Sequence, residues 1–171
     1  MKSCIPAVIP ALLLGLSDAL PATDLLVPDQ FETIQEAIDA SEDGDRILIG
    51  PGVHREHLMI DHRELTLEPI DSSTSVKIIS PDEFGPPFVA LQVNNGARVT
   101  LRRLRIVGAG NTLEAQDGHI AIGCTDSEIT VLNCEIEGGY GLSGEPAIHL
   151  TGQATAVVMS TPSRNVRFLA V

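Results

Sequence analysis

Two segments thirty residues apart, VTLRRLRIVG (99–108) and ITVLNCEIEG (129–138), match position by position: Val99 with Ile129, Leu101 with Val131, Leu104 with Cys134 and Ile106 with Ile136. The correspondence extends backwards. Leu65 and Leu67 match Val99 and Leu101 at 34 residues, while Leu58 and Ile60 match Leu91 and Val93 at 33, which in turn match Ile120 and Ile122 at 29. Three families of short alternating strands therefore recur with a period near 30, and the length differences fall in polar or Pro/Gly segments such as SPDEFGPP. A period of that length predicts a three-sided coil repeated along an axis. Each coil turns alternate residues into a shared interior and stacks on the next at about 4.8 Å.

The register accounts for four arginines in RVTLRRLRIVG (98–108), a stretch that otherwise reads as basic in a chain of net charge −12. With Val99 and Leu101 inward, Arg98, Thr100 and Arg102 point out. The coil below offers Glu64, Thr66 and Glu68, and the coil above offers Glu128, Thr130 and Leu132. Arg98 is thus expected between two glutamates, Arg102 over Glu68, Thr100 between two threonines, and Arg105 beside Glu135. Opposite charges across a ladder stabilise pairing, so these arginines read as register pins. Lys77 under Arg105 is the one unfavourable pair that this register predicts.

Ahead of the strands, FETIQEAIDASEDGD (31–45) carries Phe31, Ile34, Ala37 and Ile38 at helical spacing, with Gly44 as a stop, which predicts one amphipathic helix near 31–41. Further upstream, Lys2, an apolar run from Ile5 to Leu16 and small residues at Ser17 and Ala19 read as a secretory signal over 1–19. That run is too short for a membrane span of about 20 residues and contains Pro6 and Pro10. Cleavage after Ala19 would remove Lys2 and Asp18, one charge of each sign, and leave −12. So acidic a chain repels phosphate backbones, which argues against a nucleic-acid partner. A secreted or periplasmic location is expected, with residues 20–27 as a linker. Export would permit a disulfide between Cys124 and Cys134, but the register turns Cys134 inward and leaves Cys124 at a bend, which disfavours one.

Residues 33–70, TIQEAIDASEDGDRILIGPGVHREHLMIDHRELTLEPI, resemble the start of right-handed parallel β-helix repeat proteins of the pectin-lyase-like superfamily. Such proteins open with a capping helix and a GD-x-I-x-x-x-PG-x-Y-x-E pattern, met here by Gly44, Asp45, Ile47, Pro51, Gly52 and Glu56, with His54 at the tyrosine place as a packing substitution. NCEIEGG (133–139) is similar to the repeat unit of these helices. The resemblance implies an all-β right-handed parallel β-helix of about four coils over 28–152 with an N-terminal capping helix. Residues 153–171 depart from the pattern, because Pro162 and Arg164 stand where the repeat calls for core. They are expected to form an irregular or incomplete last coil, an end able to stack on a partner.

The superfamily includes lyases, hydrolases, epimerases and non-enzymatic adhesins, so fold alone does not decide activity. A lyase of this kind needs acids to hold calcium and a base, and a hydrolase needs two opposed carboxylates. The sheet carrying Leu58, Leu91, Ile120 and Ile148 is expected to display Met59, Gln92, Ala121 and His149 outward, with His57 and His119 ahead of their strands and Asp117 nearby. That is no carboxylate cluster. His57 and His119 would stand two coils apart, about 9.6 Å at twice the ladder spacing, too far to share a metal. The QDGH at 116–119 reads first as a turn. The loops GAGNTLEAQDG and GGYGLSGEP lead to the same side, and loops on a rigid scaffold are where ligands bind. The ligand-binding candidates are therefore Asp117, His119, Tyr140, which suits stacking on a sugar, and His149. No catalytic residue, metal site or cofactor is expected. The favoured function is a non-catalytic exported module that binds a polysaccharide or protein partner, and the alternative is a truncated or degenerate polysaccharide lyase or glycoside hydrolase.

Overall fold

The computed structural model describes residues 21–81, 89–108, 120–138, 147–159 and 168–170, the last three by backbone alone. It is an all-β architecture of three parallel sheets with a single short helix among the described residues. After β1 (Asp24–Val27) and α1 (Ile34–Ala40), the chain runs through β2 (Arg46–Ile49), β3 (Gly52–Arg55) and β4 (Leu58–Asp61), then through β5 (Glu64–Pro69), β6 (Val76–Ile79) and β7 (Leu91–Asn94). The next two circuits are β8 (Arg98–Arg102), β9 (Arg105–Val107) and β10 (Ile122–Thr125), and β11 (Glu128–Leu132), β12 (Glu135–Glu137) and β13 (Ile148–Thr151). β14 (Thr155–Met159) and β15 (Phe168–Ala170) follow. The first sheet has the order β1-β2-β5-β8-β11-β14, the second β12-β9-β6-β3 and the third β15-β13-β10-β7-β4. Each circuit thus contributes one strand to each sheet in the same sequence.

Alternation sets which residues make the interior. Leu65, Val99 and Ile129 are paired in file, as are Ile47, Leu67, Leu101, Val131 and Val158. In the second sheet Ile78, Ile106 and Ile136 align, and all of these but Val158 are buried. Full burial of such a side chain stabilises the fold by about 1.5–3 kcal/mol, so the apolar files are the main source of cohesion. His54 stands at the lower end of the second-sheet file, opposite Ile78, with Nε2 3.1 Å from the Gly50 carbonyl oxygen. It fills space at the edge of the core, in keeping with a packing substitution.

The third sheet corrects the expected register. Leu58 does pair with Leu91 and Ile60 with Val93, but Leu91 then pairs with Ile122 and Val93 with Cys124, an offset of 31 rather than 29. A slip of two residues keeps every side chain on its face, so alternation alone cannot detect it. Three readings change with it. Cys124 lies inside the core at 1% exposure instead of at a bend. Gly123, not Ala121, stands in the outward file, and Ala121 is fully buried. The backbone bonds from Leu58 N to Ala90 O and from Leu91 N to Ala121 O put Ala90 and Ala121 in file with His57, the place expected for His119.

Sharp corners separate the sheets. His62, Asn95, Asp126 and Gly152 each follow the last residue of a third-sheet strand, and all four have positive φ, at 54°, 57°, 48° and 66°. Arg103 and Asn133 do the same between the first and second sheets, at 52° and 54°. Asn, Asp and Gly tolerate the left-handed conformation, which explains most of these choices.

α1 closes the first circuit. Thr33 accepts from the Glu36 amide, and the Glu36 carboxylate accepts from the Thr33 amide, a reciprocal cap at the helix start. Ile34, Ala37 and Ile38 face the core as expected. The helix stops at Ala40, before Gly44, because Ser41 is already extended. Side chains from the first circuit hold both of its ends: Glu56 accepts from the amides of Ile34 and Gln35 at 3.2 and 3.1 Å, and Arg63 donates to the carbonyls of Ser41 and Asp39. Gln35 in turn brackets the Met59 peptide on β4, accepting from its N–H at 2.8 Å and donating to its carbonyl at 3.2 Å.

Both flanks contain strands. β1 lies in the stretch expected as a linker, and β14 and β15 bring regular strands into 153–171. Leu25 and Leu26 give β1 its partners on β2, and Ala156 and Val158 continue the inward file of the first sheet at an offset of 27. The expected signal segment 1–19 and the residues Pro162 and Arg164 lie outside the described residues. No described helix is long and apolar enough to cross a membrane.

Candidate functional site

The first sheet's outer face is occupied by side chains that answer one another. Arg98 lies between Glu64 and Glu128, with Nη1 3.4 Å from one carboxylate and Nε 3.3 Å from the other. Thr66, Thr100 and Thr130 form the adjoining file. Between them is a shallow concavity of about 190 Å³. Glu68, buried on this face, meets Arg46 at 2.9 Å and Arg103 at 3.2 Å. The expected partner, Arg102, is instead exposed. The left-handed backbone at Arg103 turns that neighbouring side chain back over Glu68. On the second sheet Arg105 contacts Glu135 at 3.5 Å and Glu137 at 2.5 Å, and Lys77 is its in-register neighbour, the unfavourable pair foreseen. Three of the four arginines are thus held by carboxylates of the fold itself.

The third sheet's outer face is different in kind. One outward file runs Met59, Gln92, Gly123, His149, and the next runs Asp61, Asn94, Thr125, Thr151. Gln92 donates to Asn94 Oδ1 at 2.7 Å, the Thr125 and Thr151 hydroxyls are 2.8 Å apart, and Asn95 donates to Asp61 Oδ1 at 3.0 Å. Gly123 leaves a gap in the file, and the Gln92 amide leans into it: a Cβ at Gly123 would overlap that amide. His149 is half-buried on β13, and its imidazole makes no hydrogen bond or ion pair to described residues.

This face adjoins the corner where the chain's longest connections leave. In the first circuit, the second and third sheets are joined by Glu56 and His57 alone; later circuits use residues 80–90, 108–121 and 138–147. Of the sequence candidates, His149 is placed on this face, while Asp117, His119 and Tyr140 belong to those connections and lie outside the described residues. His57 Nε2 is buried at the same corner without a hydrogen-bond partner. The second outward file was missed from sequence. Its signal is a polar residue closing each strand in LQVN, IGCT and IHLT, which reads equally well as the start of a turn.

Among the described residues, no group of three or more His, Cys, Asp or Glu side chains is arranged to hold a metal ion. Cys124 and Cys134 are free thiols in the core. Burial pushes the Cys124 thiol up to about 11 and raises Cys134 as well, so both stay protonated and unreactive near neutrality. No protein-family model, curated protein or solved structure matches the chain.

Proposed function

We propose that the chain is an exported right-handed parallel β-helix module of the pectin-lyase-like kind that binds a polysaccharide on its third-sheet side without turning it over. The solenoid reading is supported by the fixed order in which the sheets are visited, the parallel registers and the helix laid across the first circuit. Secretion or periplasmic location rests on the sequence of residues 1–19.

The observation that carries the binding reading is the pair of outward files on the third sheet. Gln92, Asn94, Thr125, His149 and Thr151 present amide, hydroxyl and imidazole groups on a rigid strip beside three long connections. Sugar hydroxyls both donate and accept, as these groups do. Hydrolysis of a glycosidic bond needs two carboxyl groups flanking it, and Asp61 is the one carboxylate among the described residues of these files. A shortened lyase or hydrolase using Asp117, His119 and His149 is the second reading, favoured because the connection that contains Asp117 and His119 in sequence leads into β10, the neighbour of β13, and by the unpartnered His57 Nε2. Incubation with uronic-acid polymers, with and without calcium, separates the two: unsaturated or shortened product overturns our reading, and glycan binding without turnover supports it.

A protein partner enters this reading at β14, the outer strand of the first sheet among the described strands. End-to-end stacking of two copies there predicts a sedimentation coefficient that rises with concentration. A constant monomer value contradicts it.

A further inference from the structure

The chain's cations are distributed unevenly around the coil. There is no Lys or Arg between Lys77 and Arg98, and none between Arg105 and Arg164. β7, β10 and β13, with the connections leading into them, fall wholly within those two stretches, and β4 lies between Arg55 and Arg63. The first and second sheets, by contrast, hold Arg46, Arg55, Lys77, Arg98, Arg102 and Arg105. Among the described residues, β4, β7, β10 and β13 therefore carry no Lys or Arg, whereas Arg164 and Arg167 precede β15 in sequence; the connections into β7, β10 and β13 contain Asp82, Glu83, Glu114, Asp117 and Glu145 in sequence.

From this we infer that the third-sheet face takes a neutral, hydroxyl-bearing polysaccharide and rejects uronate or sulfated chains, a refinement that rests on the carbohydrate-binding reading above. A polyanion laid along β4, β7, β10 and β13 would meet Asp61 and a protein of net charge −12, with no guanidinium or ammonium on those four strands to offset the repulsion. Binding of anionic chains elsewhere is met by bidentate arginine or by lysine. Here the cations that lie within described strands stand on the other two sheets, and Arg98 and Arg105 are already held by carboxylates. What remains on the third sheet suits uncharged hydroxyls. Gln92 and Asn94 offer a donor and an acceptor each, as do the hydroxyls of Thr125 and Thr151, repeated at the rung spacing of about 4.8 Å. A polymer lying along the axis would meet the same chemistry at successive rungs. Asp61, the one carboxylate of the two files among the described residues, accepts from Asn95 at 3.0 Å.

The test uses the full chain against an array of neutral glucans, mannans and galactans, polygalacturonate, a sulfated glycan and soluble chitosan. The expected result is binding of a neutral glycan about tenfold or more tighter than polygalacturonate, unchanged between low and high salt. Gln92→Ala and Thr151→Val, checked for unaltered melting, should each weaken it several-fold. Thr125→Lys should lower neutral binding and raise that of polygalacturonate. Polygalacturonate bound as tightly as any neutral glycan overturns the inference and leaves the carbohydrate reading standing, as does salt-sensitive binding of chitosan alone. Failure to bind any glycan overturns both.

Discussion

Thr100 and Gly123 hold comparable outward positions in the first and third sheets of one circuit, yet their surroundings are opposites. Thr100 sits between two threonines and beside a guanidinium clasped by two carboxylates. Gly123 leaves a gap beside His149 that only the Gln92 amide leans into, with no charge in its file. Inward the two sheets are alike, since Leu101 and Ile122 are equally buried. A face whose side chains answer one another up and down the ladder fixes register. A face of neutral donors and acceptors with few partners adds little to register and has its hydrogen-bonding capacity left for something else.

The comparison can be broken most forcefully from the inside. Leu101→Ala and Ile122→Ala should each cost about 2–5 kcal/mol in denaturant unfolding, by loss of burial and an unfilled cavity. A much smaller loss for Ile122→Ala would mean that the third sheet is not built on the same core. Next comes Glu68→Ala, which leaves Arg103 without its carboxylate and Arg46 with Asp24 alone. Because both guanidinium groups reach solvent, about 2 kcal/mol is expected, less than for a fully enclosed pair.

Arg98→Glu should cost about 1–2 kcal/mol, by turning two attractive neighbours into repulsive ones, and Glu64→Arg with Glu128→Arg should restore part of it. Absence of coupling in that cycle would remove the register role of the first sheet's charges. On the third sheet the corresponding outward changes, Gln92→Ala and Thr151→Val, should stay within about 0.5 kcal/mol, as surface substitutions do. A large loss there would show that those side chains serve the fold.

The smallest effect concerns pH. Burial raises the Cys124 thiol from 9.0 to about 11, so the unfolded chain loses that proton first. Stability from this group is complete below pH 9 and declines as pH rises from about 9 to about 11. Native protein at pH 8 should resist iodoacetamide at both cysteines until denaturant is added, and rapid labelling of the folded chain would place those thiols outside the core.

Much of the first sheet was legible in sequence because its outward residues are chemically distinctive. Glu64, Arg98 and Glu128, and Thr66, Thr100 and Thr130, mark the register independently of the apolar residues between them. The third sheet lacked such marks. Ile120, Ile122 and Cys124 all share one parity, and the long connection before them absorbs a slip of two, so the outward file containing Gly123 was misplaced. The ties that Glu56 and Arg63 make to α1 join residues more than 20 apart in contact with backbone atoms, which leave no pattern in side-chain identity. β1 and β14 are the two outer strands of the first sheet as described, and their inward residues Leu25, Ala156 and Val158 are only partly buried. His149 was placed on the candidate face from sequence, but Asn94, Thr125 and Thr151 were not, since a polar residue before a corner looks like a turn.

The division of labour between the two faces is tested most directly by following backbone amide resonances of the full chain as neutral glucan, mannan and galactan oligosaccharides are added in turn. The account predicts shifts concentrated at Gln92, Asn94, Gly123, Thr125, His149 and Thr151, with Thr66, Thr100 and Thr130 unmoved. Shifts centred on the threonine file of the first sheet, with the third sheet silent, would contradict it.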